Sequence, residues 1–322
     1  MNAAPSPLRF ATRGSQLALI QTALAIKALT SAGVASGLAG GRTVESTTIE
    51  IDTEGDRDRA TPLAVLGGRG VFVKAIEDAL LDGAADVAVH SLKDVPAALP
   101  EGLTLAAFLP REDPRDALVA SGGRRLAELP AGARVGTSSR RRAALLRALR
   151  PDIEAADIRG NVNTRLGKVA AGEYDGALLA AAGLRRLGRF DEVTQLFEEM
   201  EFPPAPGQGT IALQCRADDD ATLELLATVD DADARGAAEA ERGFLTALGT
   251  GCSLPVGAFA RLSDGLLAIR GMIASEDPED SSPPAFGDAT GPAEDAAALG
   301  RSLAERLLEG EPSFAPSPEA TS

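Results

Sequence analysis

The sequence predicts an α/β protein with two similar α/β domains followed by a smaller α+β domain. Three observations carry this. At 322 residues the chain is too long for one hydrophobic core. Short buried strands alternate with helices over roughly the first 200 residues, and the pattern of the first stretch returns in the second. After that the alternation gives way to a long helix, a hairpin and a closing helix.

The elements follow in order. Residues 8–11 read as a strand, and Ser15 in the turn Thr12-Arg13-Gly14-Ser15 can cap the next helix. Leu17, Ile20 and Leu24 form that helix's apolar stripe. Residues 46–51 are strand-like through their β-branched side chains. Gly67-Gly68-Arg69-Gly70 matches neither a phosphate loop nor a dinucleotide fingerprint, and reads as a lid. Phe72, Ile76 and Leu80 mark a helix that Gly83 ends, and residues 87–89 form a buried strand.

The second unit repeats this. A strand over 133–136 meets the capping turn Thr137-Ser138-Ser139, and the next helix carries Leu145, Leu146 and Leu149 on its apolar side. Gly172-x-x-Asp175 before the apolar run 177–182 echoes Gly83-x-x-Asp86 before residues 87–89. Two similar domains with a cleft between them are therefore expected. Ile211, Leu213 and Cys215 alternate, which makes Cys215 core. Residues 234–248 read as a helix, 256–262 and 266–273 as a hairpin about Ser263-Asp264-Gly265, and Leu299, Leu303 and Leu307 as a closing helix. The acidic, Pro- and Gly-rich stretch 276–294 reads as a loop, and 311–322 as a disordered tail.

Composition narrows the function. A net charge of −15 argues against nucleic-acid binding. No apolar run approaches membrane-helix length, and the N-terminus has no signal-peptide pattern. One histidine and two cysteines leave little for a disulfide framework or a His/Cys metal site. A cytoplasmic protein without a metal is expected. Yet residues 134–168 hold eight arginines and one lysine against three acids. Either this is a solvated face or it is a site for anions.

The spacing favours the site. Strand ends meeting helix starts are where α/β sheets bind ligands, and helix N-termini suit anions. Arg13 sits at one such junction, Arg140, Arg141 and Arg142 at another, and Arg159 and Arg165 flank a third at Gly160-Asn161-Val162-Asn163. Arginine grips a carboxylate through two parallel hydrogen bonds, so a ligand with several carboxylates or phosphates fits. Asp94 lies just past a buried strand in His90-Ser91-Leu92-Lys93-Asp94. It can cap a turn, or it can hydrogen-bond an N–H, stabilise a developing cation and pass a proton. His90 lacks any serine-hydrolase context. Cys252, between glycines and Pro255, is off any regular face and is either idle or a point of attachment.

Together these segments resemble the hydroxymethylbilane synthase (porphobilinogen deaminase) family. The resemblance rests on Ala11-Thr12-Arg13-x-Ser15, Thr53-x-Gly55-Asp56, Gly70-Val71-Phe72-x-Lys74, His90-Ser91-Leu92-Lys93-Asp94-Val95-Pro96, Arg111-Glu112-Asp113-Pro114-Arg115-Asp116, Gly136-Thr137-Ser138-Ser139-x-Arg141-Arg142, Arg159-Gly160-Asn161-Val162-Asn163-Thr164-Arg165-Leu166, Pro204-Ala205-Pro206-Gly207-Gln208-Gly209 and Gly251-Cys252-x-x-Pro255. It implies two domains like those of periplasmic binding proteins and a third, α+β domain. Their bounds are 1–109 with 210–228, 110–209, and 229–310.

It also implies a dipyrromethane cofactor, built from substrate and held by a thioether on Cys252. Four porphobilinogen molecules would be joined head to tail with loss of ammonia, and water would release the tetrapyrrole. Asp94 matches the catalytic aspartate. Lys93, Ser91, Ser139, Arg141, Arg142, Arg159, Gly183 and Arg186 match cofactor-binding positions. Arg13, Ser15, Phe72, Arg159, Arg165 and Gln208 match substrate-binding ones. A cytoplasmic monomer without nucleic-acid or membrane partners is implied. Many relatives have lysine where this chain has Val65 and Arg69, and Arg140 replaces an apolar residue. The stretch 276–292 stands where relatives have a last strand, so a shortened third sheet is expected. The competing function is a non-catalytic anion-binding module, which would have no use for a covalent pyrrole on Cys252.

Overall fold

The computed structural model describes residues 7–36, 45–53, 73–249, 254–277, 280 and 282–310. Phe72, the glycine-rich stretch 67–70, Val65, Arg69, Cys252 and the tail 311–322 lie outside them. The chain divides into two compact units, Met1–Arg111 with Thr210–Arg235, and Glu112–Gly209 with Gly236–Ser322.

In the first unit, β1 (Leu8–Arg13), β2 (Ser46–Ile51) and β3 (Val87–Ser91) run parallel, and β4 (Leu103–Phe108) forms the far edge. β10 (Ile211–Arg216) returns from late in the chain and inserts antiparallel between β3 and β4, giving the order β2-β1-β3-β10-β4. The central strands β3 and β10 are buried on both faces, although each includes a buried polar side chain, His90 and Gln214. α1 (Gln16–Ser36) and α2 (Lys74–Leu81) pack on this sheet. α1 is apolar nearly all round, so its periodicity does not choose a face. The stripe expected from sequence is only partly covered, and Leu24 is 40% exposed. The buried side is Ala18, Gln21, Thr22, Ala25 and Leu29, where small side chains allow close approach.

The second unit repeats the plan. β6 (Arg134–Gly136), β7 (Glu154–Ala156) and β8 (Gly176–Ala180) are parallel, and β5 (Asp116–Ala120) runs antiparallel between β8 and β9 (Gln195–Leu196). The order β7-β6-β8-β5-β9 matches the first sheet position for position. The sequence echo has a structural cause. Gly83 and Gly172 both take positive φ, and each is followed three residues on by an aspartate. Asp86 donates its N–H to the Arg9 carbonyl and accepts the Arg9 N–H on its carboxylate; Asp175 does the same with Arg134. The two aspartates thus latch β3 to β1 and β8 to β6.

Helices α3 (Arg140–Leu149), α4 (Val162–Ala170) and α5 (Ala181–Arg186) complete this layer. Leu145 and Leu146 are buried as expected, but Leu149 is 46% exposed at the helix end. The apolar run 177–182 is not one element, because β8 ends at Ala180 and α5 begins at Ala181.

After β10 come α6 (Asp220–Ala227) and α7 (Ala232–Ala247). The hairpin of β11 (Val256–Ser263) and β12 (Leu266–Ile273) turns on Asp264 and Gly265, both at positive φ, the backbone that a two-residue Asp-Gly turn demands. One expectation is corrected. Within 276–294 lies β13 (Ala285–Pro292), paired with β12 over its whole length, so the third sheet is not short. Its glycines are packing residues, not breakers. A Cβ on Gly287 would sit 3.1 Å from Leu303 and Leu307, and one on Gly291 3.2 Å from Leu299, so the strand lies tight under α8 (Ala296–Leu308). Met272 and Ala274 share a core with Phe197, Phe202 and the second sheet.

Candidate active site

The first unit holds a recess at the C-terminal ends of its parallel strands, the usual ligand position in such sheets. Arg13 and Ser15 line it from the β1–α1 junction, Gln21 from α1, and His90, Ser91 and Asp94 from the end of β3 and the single helical turn Leu92–Asp94. Leu17, Val73 and Ile76 supply apolar wall. Ser15 caps α1, its Oγ accepting the Ala18 N–H at 3.3 Å. Ser91 Oγ lies 2.7 Å from Gln21 Nε2, which fixes both side chains. Asp94 and Lys93 are half-buried on the turn. No motif marks Gln21 in the sequence; the available signal is a polar pair, Gln21-Thr22, inside an otherwise apolar helix.

His90 is buried, and its Nε2 lies 2.9 Å from Gln214 Oε1. Gln214 in turn donates to Glu77 Oε1 at 3.0 Å. Burial pushes the imidazole from 6.5 down to about 4, against the opposing effects of Gln214 and Asp94. The ring is therefore neutral at pH 7. Burial also raises the Glu77 carboxyl above its ordinary value, with Gln214 opposing and Asp78 adding to the rise.

The second unit holds the arginines, and it sorts them. The sequence pattern placed Arg141 and Arg142 beside the α3 N-terminus; the structure turns both guanidiniums inward. Asp116, fully buried at the start of β5, accepts Arg141 Nη1 at 2.6 Å, Arg142 Nη2 at 2.6 Å and Nε at 2.9 Å, and Gln208 Nε2 at 2.9 Å. Arg141 also donates to the Pro203 carbonyl and Arg142 to that of Leu178. Despite burial, the two guanidiniums hold the Asp116 carboxyl well below the usual carboxylate range. One carboxylate thus faces two guanidiniums. Gln208 tethers the crossing segment to this knot, bonding the Pro114 carbonyl as well.

Ser139 caps α3, its Oγ accepting the Arg142 N–H at 3.4 Å, and Asn161 caps α4 through the Thr164 N–H at 2.9 Å. Arg159, Arg165 and Arg186 are half-buried, while Arg140 is exposed. Arg165 donates to the Gly160 carbonyl and Arg186 to that of Gly209. Burial, then the nearby charges of Arg142 and Arg159, lower Arg165 to about 10. Burial lowers Arg186 as well, opposed by Glu112. A guanidinium that shares its surroundings with like charges is stabilised by anions, so this cluster suits a ligand bearing carboxylates. Gly183 is buried in α5.

A family model described as "Porphobilinogen deaminase, dipyromethane cofactor binding domain" matches residues 8–224, and a second, for the C-terminal domain of the same enzymes, matches 236–309. The chain belongs to the porphobilinogen deaminase family. The porphobilinogen deaminase of Roseiflexus sp. (strain RS-1) is 49% identical over 298 residues, covering 92% of this chain and 94% of the relative. That of Syntrophobacter fumaroxidans is 50% identical over 273 residues, 85% of this chain and 86% of the relative. The family supplies a reason for the excess of arginine in an acidic chain. Every porphobilinogen unit brings two carboxylates, and a growing chain of them needs many cations.

Proposed function

We infer that this protein joins four porphobilinogen molecules head to tail, with loss of ammonia, into the linear tetrapyrrole hydroxymethylbilane. The observation that carries the inference is Asp94 lining one recess with Arg13, in a chain of this family. In each condensation the aminomethyl C–N bond breaks, ammonia leaves, a C–C bond forms to the next pyrrole, and that ring carbon loses its proton. Asp94 stabilises the cationic carbon and its ring N–H, and handles the proton. Arg13 and Ser15 hold the incoming substrate, with Arg159, Arg165, Gln208 and Phe72 as further substrate positions.

The donors of the second unit fit a ligand with several carboxylates. We assign Ser139, Arg141, Arg142, Arg159, Gly183 and Arg186, with Lys93 and Ser91, to the dipyrromethane cofactor and Cys252 to its thioether. When bound, that cofactor supplies the free pyrrole end on which the chain grows. Arg141 and Arg142 act from within, through the charge that Asp116 leaves unbalanced. Domain bounds of 1–109 with 210–228, 110–209 and 229–310 place Asp94 in the first domain and Cys252 in the third. A monomer in the cytoplasm, without nucleic-acid or membrane partners, fits the net charge of −15 and the lack, among the described residues, of any helix long and apolar enough to cross a membrane.

The test is turnover. Purified protein given porphobilinogen is expected to release one ammonia per unit joined, with a linear tetrapyrrole as product. Asp94→Ala is expected to bind the substrate but turn over about 10²- to 10⁴-fold more slowly, the usual size for a positioned acid or base. Porphobilinogen bound without ammonia release would make the protein an anion-binding module instead.

A further inference from the structure

The recess has one acidic side chain, Asp94, among the residues that line it. Each condensation brings two pyrrole rings together, and each ring carries one N–H. Two hydroxyls in the recess are already engaged, Ser15 with the Ala18 N–H and Ser91 with Gln21. His90, on the same wall, is engaged on one side only. Gln214 lies on β10 in the register Ala212↔His90, Gln214↔Ala88, so it is the diagonal neighbour of His90, and small Ala212 leaves it room. Gln214 donates its amide N–H to Glu77, which turns its carbonyl oxygen toward His90. That oxygen can only accept, so His90 Nε2 carries the ring's hydrogen and Nδ1 carries the lone pair. Nδ1 has no hydrogen-bond partner among the described residues, and His90 is one of the residues that line the recess.

We propose that His90 Nδ1 is a neutral acceptor for a pyrrole N–H of the substrate, beside Asp94, and that Gln214 and Glu77 are positioning residues that fix its tautomer. The proposal rests on the function inferred above for the ligand's identity, but not for the tautomer. A neutral acceptor suits a neutral ring N–H and adds no cation beside the developing positive charge. Among the charged or titratable groups near His90, Asp94 on the following turn acts on the ring, Arg13 at the end of β1 lines the same recess, and Glu77 on α2 lies beyond Gln214. The drop of the imidazole to about 4 agrees with a ring that stays neutral through turnover.

His90 is the only histidine of the chain, so its two ring nitrogens are resolved without assignment in a long-range ¹H–¹⁵N spectrum of the labelled holoenzyme. The expected spectrum at pH 7 shows Nε2 protonated and Nδ1 of the unprotonated type. Adding a porphobilinogen analogue that lacks the aminomethyl group moves Nδ1 upfield. Gln214→Leu is expected to give a mixture of tautomers. His90→Gln, which keeps a donor toward Gln214 but loses the Nδ1 acceptor, is expected to raise KM about tenfold with kcat changed less than about twofold, as for one lost hydrogen bond. An Nδ1–H tautomer or an imidazolium at pH 7 would overturn the proposal. So would an Nδ1 signal unmoved by an analogue whose binding calorimetry detects. Normal porphobilinogen turnover with either result removes His90 alone, whereas no turnover at all removes the function and the ligand together.

Discussion

His90 is charged in the unfolded chain at acid pH and neutral in the fold, which makes it a source of pH-dependent stability. Its folded value is depressed from 6.5 to about 4. The stabilisation is complete above 6.5 and is lost as pH falls toward 4, because the unfolded chain takes a proton that the folded chain refuses. The slope approaches about 1.4 kcal/mol per pH unit below 6.5, so roughly 2 kcal/mol is expected between pH 7.5 and 5. Glu77 works the other way. Its raised folded value gives stability that is present at low pH and lost as pH rises. The comparison that isolates the histidine is therefore urea unfolding at pH 7.5 and 5.0 of the wild type against His90→Gln. The variant is expected to lose less stability on acidification, and an equal loss would mean the ring is not buried neutral. The sequence exposed His90 as a lone histidine next to Asp94, but not its partners. Gln214 and Glu77 are 124 and 137 residues distant from theirs in the chain, and only the returning strand brings them together.

At the scale of elements, legibility followed how unequal the alternatives were. β2 and the β11–β12 hairpin were plain, because β-branched runs and an Asp-Gly turn have few other uses. α1 was legible as a helix but not in its orientation, since nearly every face is apolar and packing distance made the choice. β13 was hidden because glycine and acidic residues mark loops in isolation; here the glycines let α8 approach and Asp288 pairs with Arg270 at 2.7 Å across the sheet. The arginine cluster was legible as charge, whereas its division into Arg141 and Arg142 facing Asp116 and others half-exposed needed the third dimension. Two glycines test the packing account with opposite signs. A Cβ on Gly300 would lie 1.9 Å from the Ala240 carbonyl, where α8 crosses α7. Gly300→Ala is therefore expected to destabilise by about 1–3 kcal/mol or more, as overpacking does. Gly167, inside α4, has nothing within 4 Å of its would-be Cβ. Gly167→Ala is expected to stabilise by about 0.4–1 kcal/mol through the unfolded chain's lost freedom. Thermal unfolding of both variants decides, and equal shifts would contradict the account.

At the scale of the whole molecule, one plan is used twice. Each five-stranded sheet has four strands that run one way and an antiparallel one inserted next to an edge, and each is latched by an aspartate after a positive-φ glycine. What the two units carry differs. The first holds the recess that Asp94 lines, and the second the cations that suit carboxylates. Domain repetition was visible in the echo of Gly-x-x-Asp, whereas the return of 210–228 to the first domain was implied only by the family resemblance, because the strand at 211–216 carries no mark of its own of which sheet it joins. The central claim is that the protein builds pyrrole chains from a primer held on Cys252, and the mass of the intact purified protein tests it most directly. The account predicts a mass above that of the sequence by two pyrrole units, with the excess abolished in Cys252→Ser. An unmodified mass in protein that turns over porphobilinogen would contradict it.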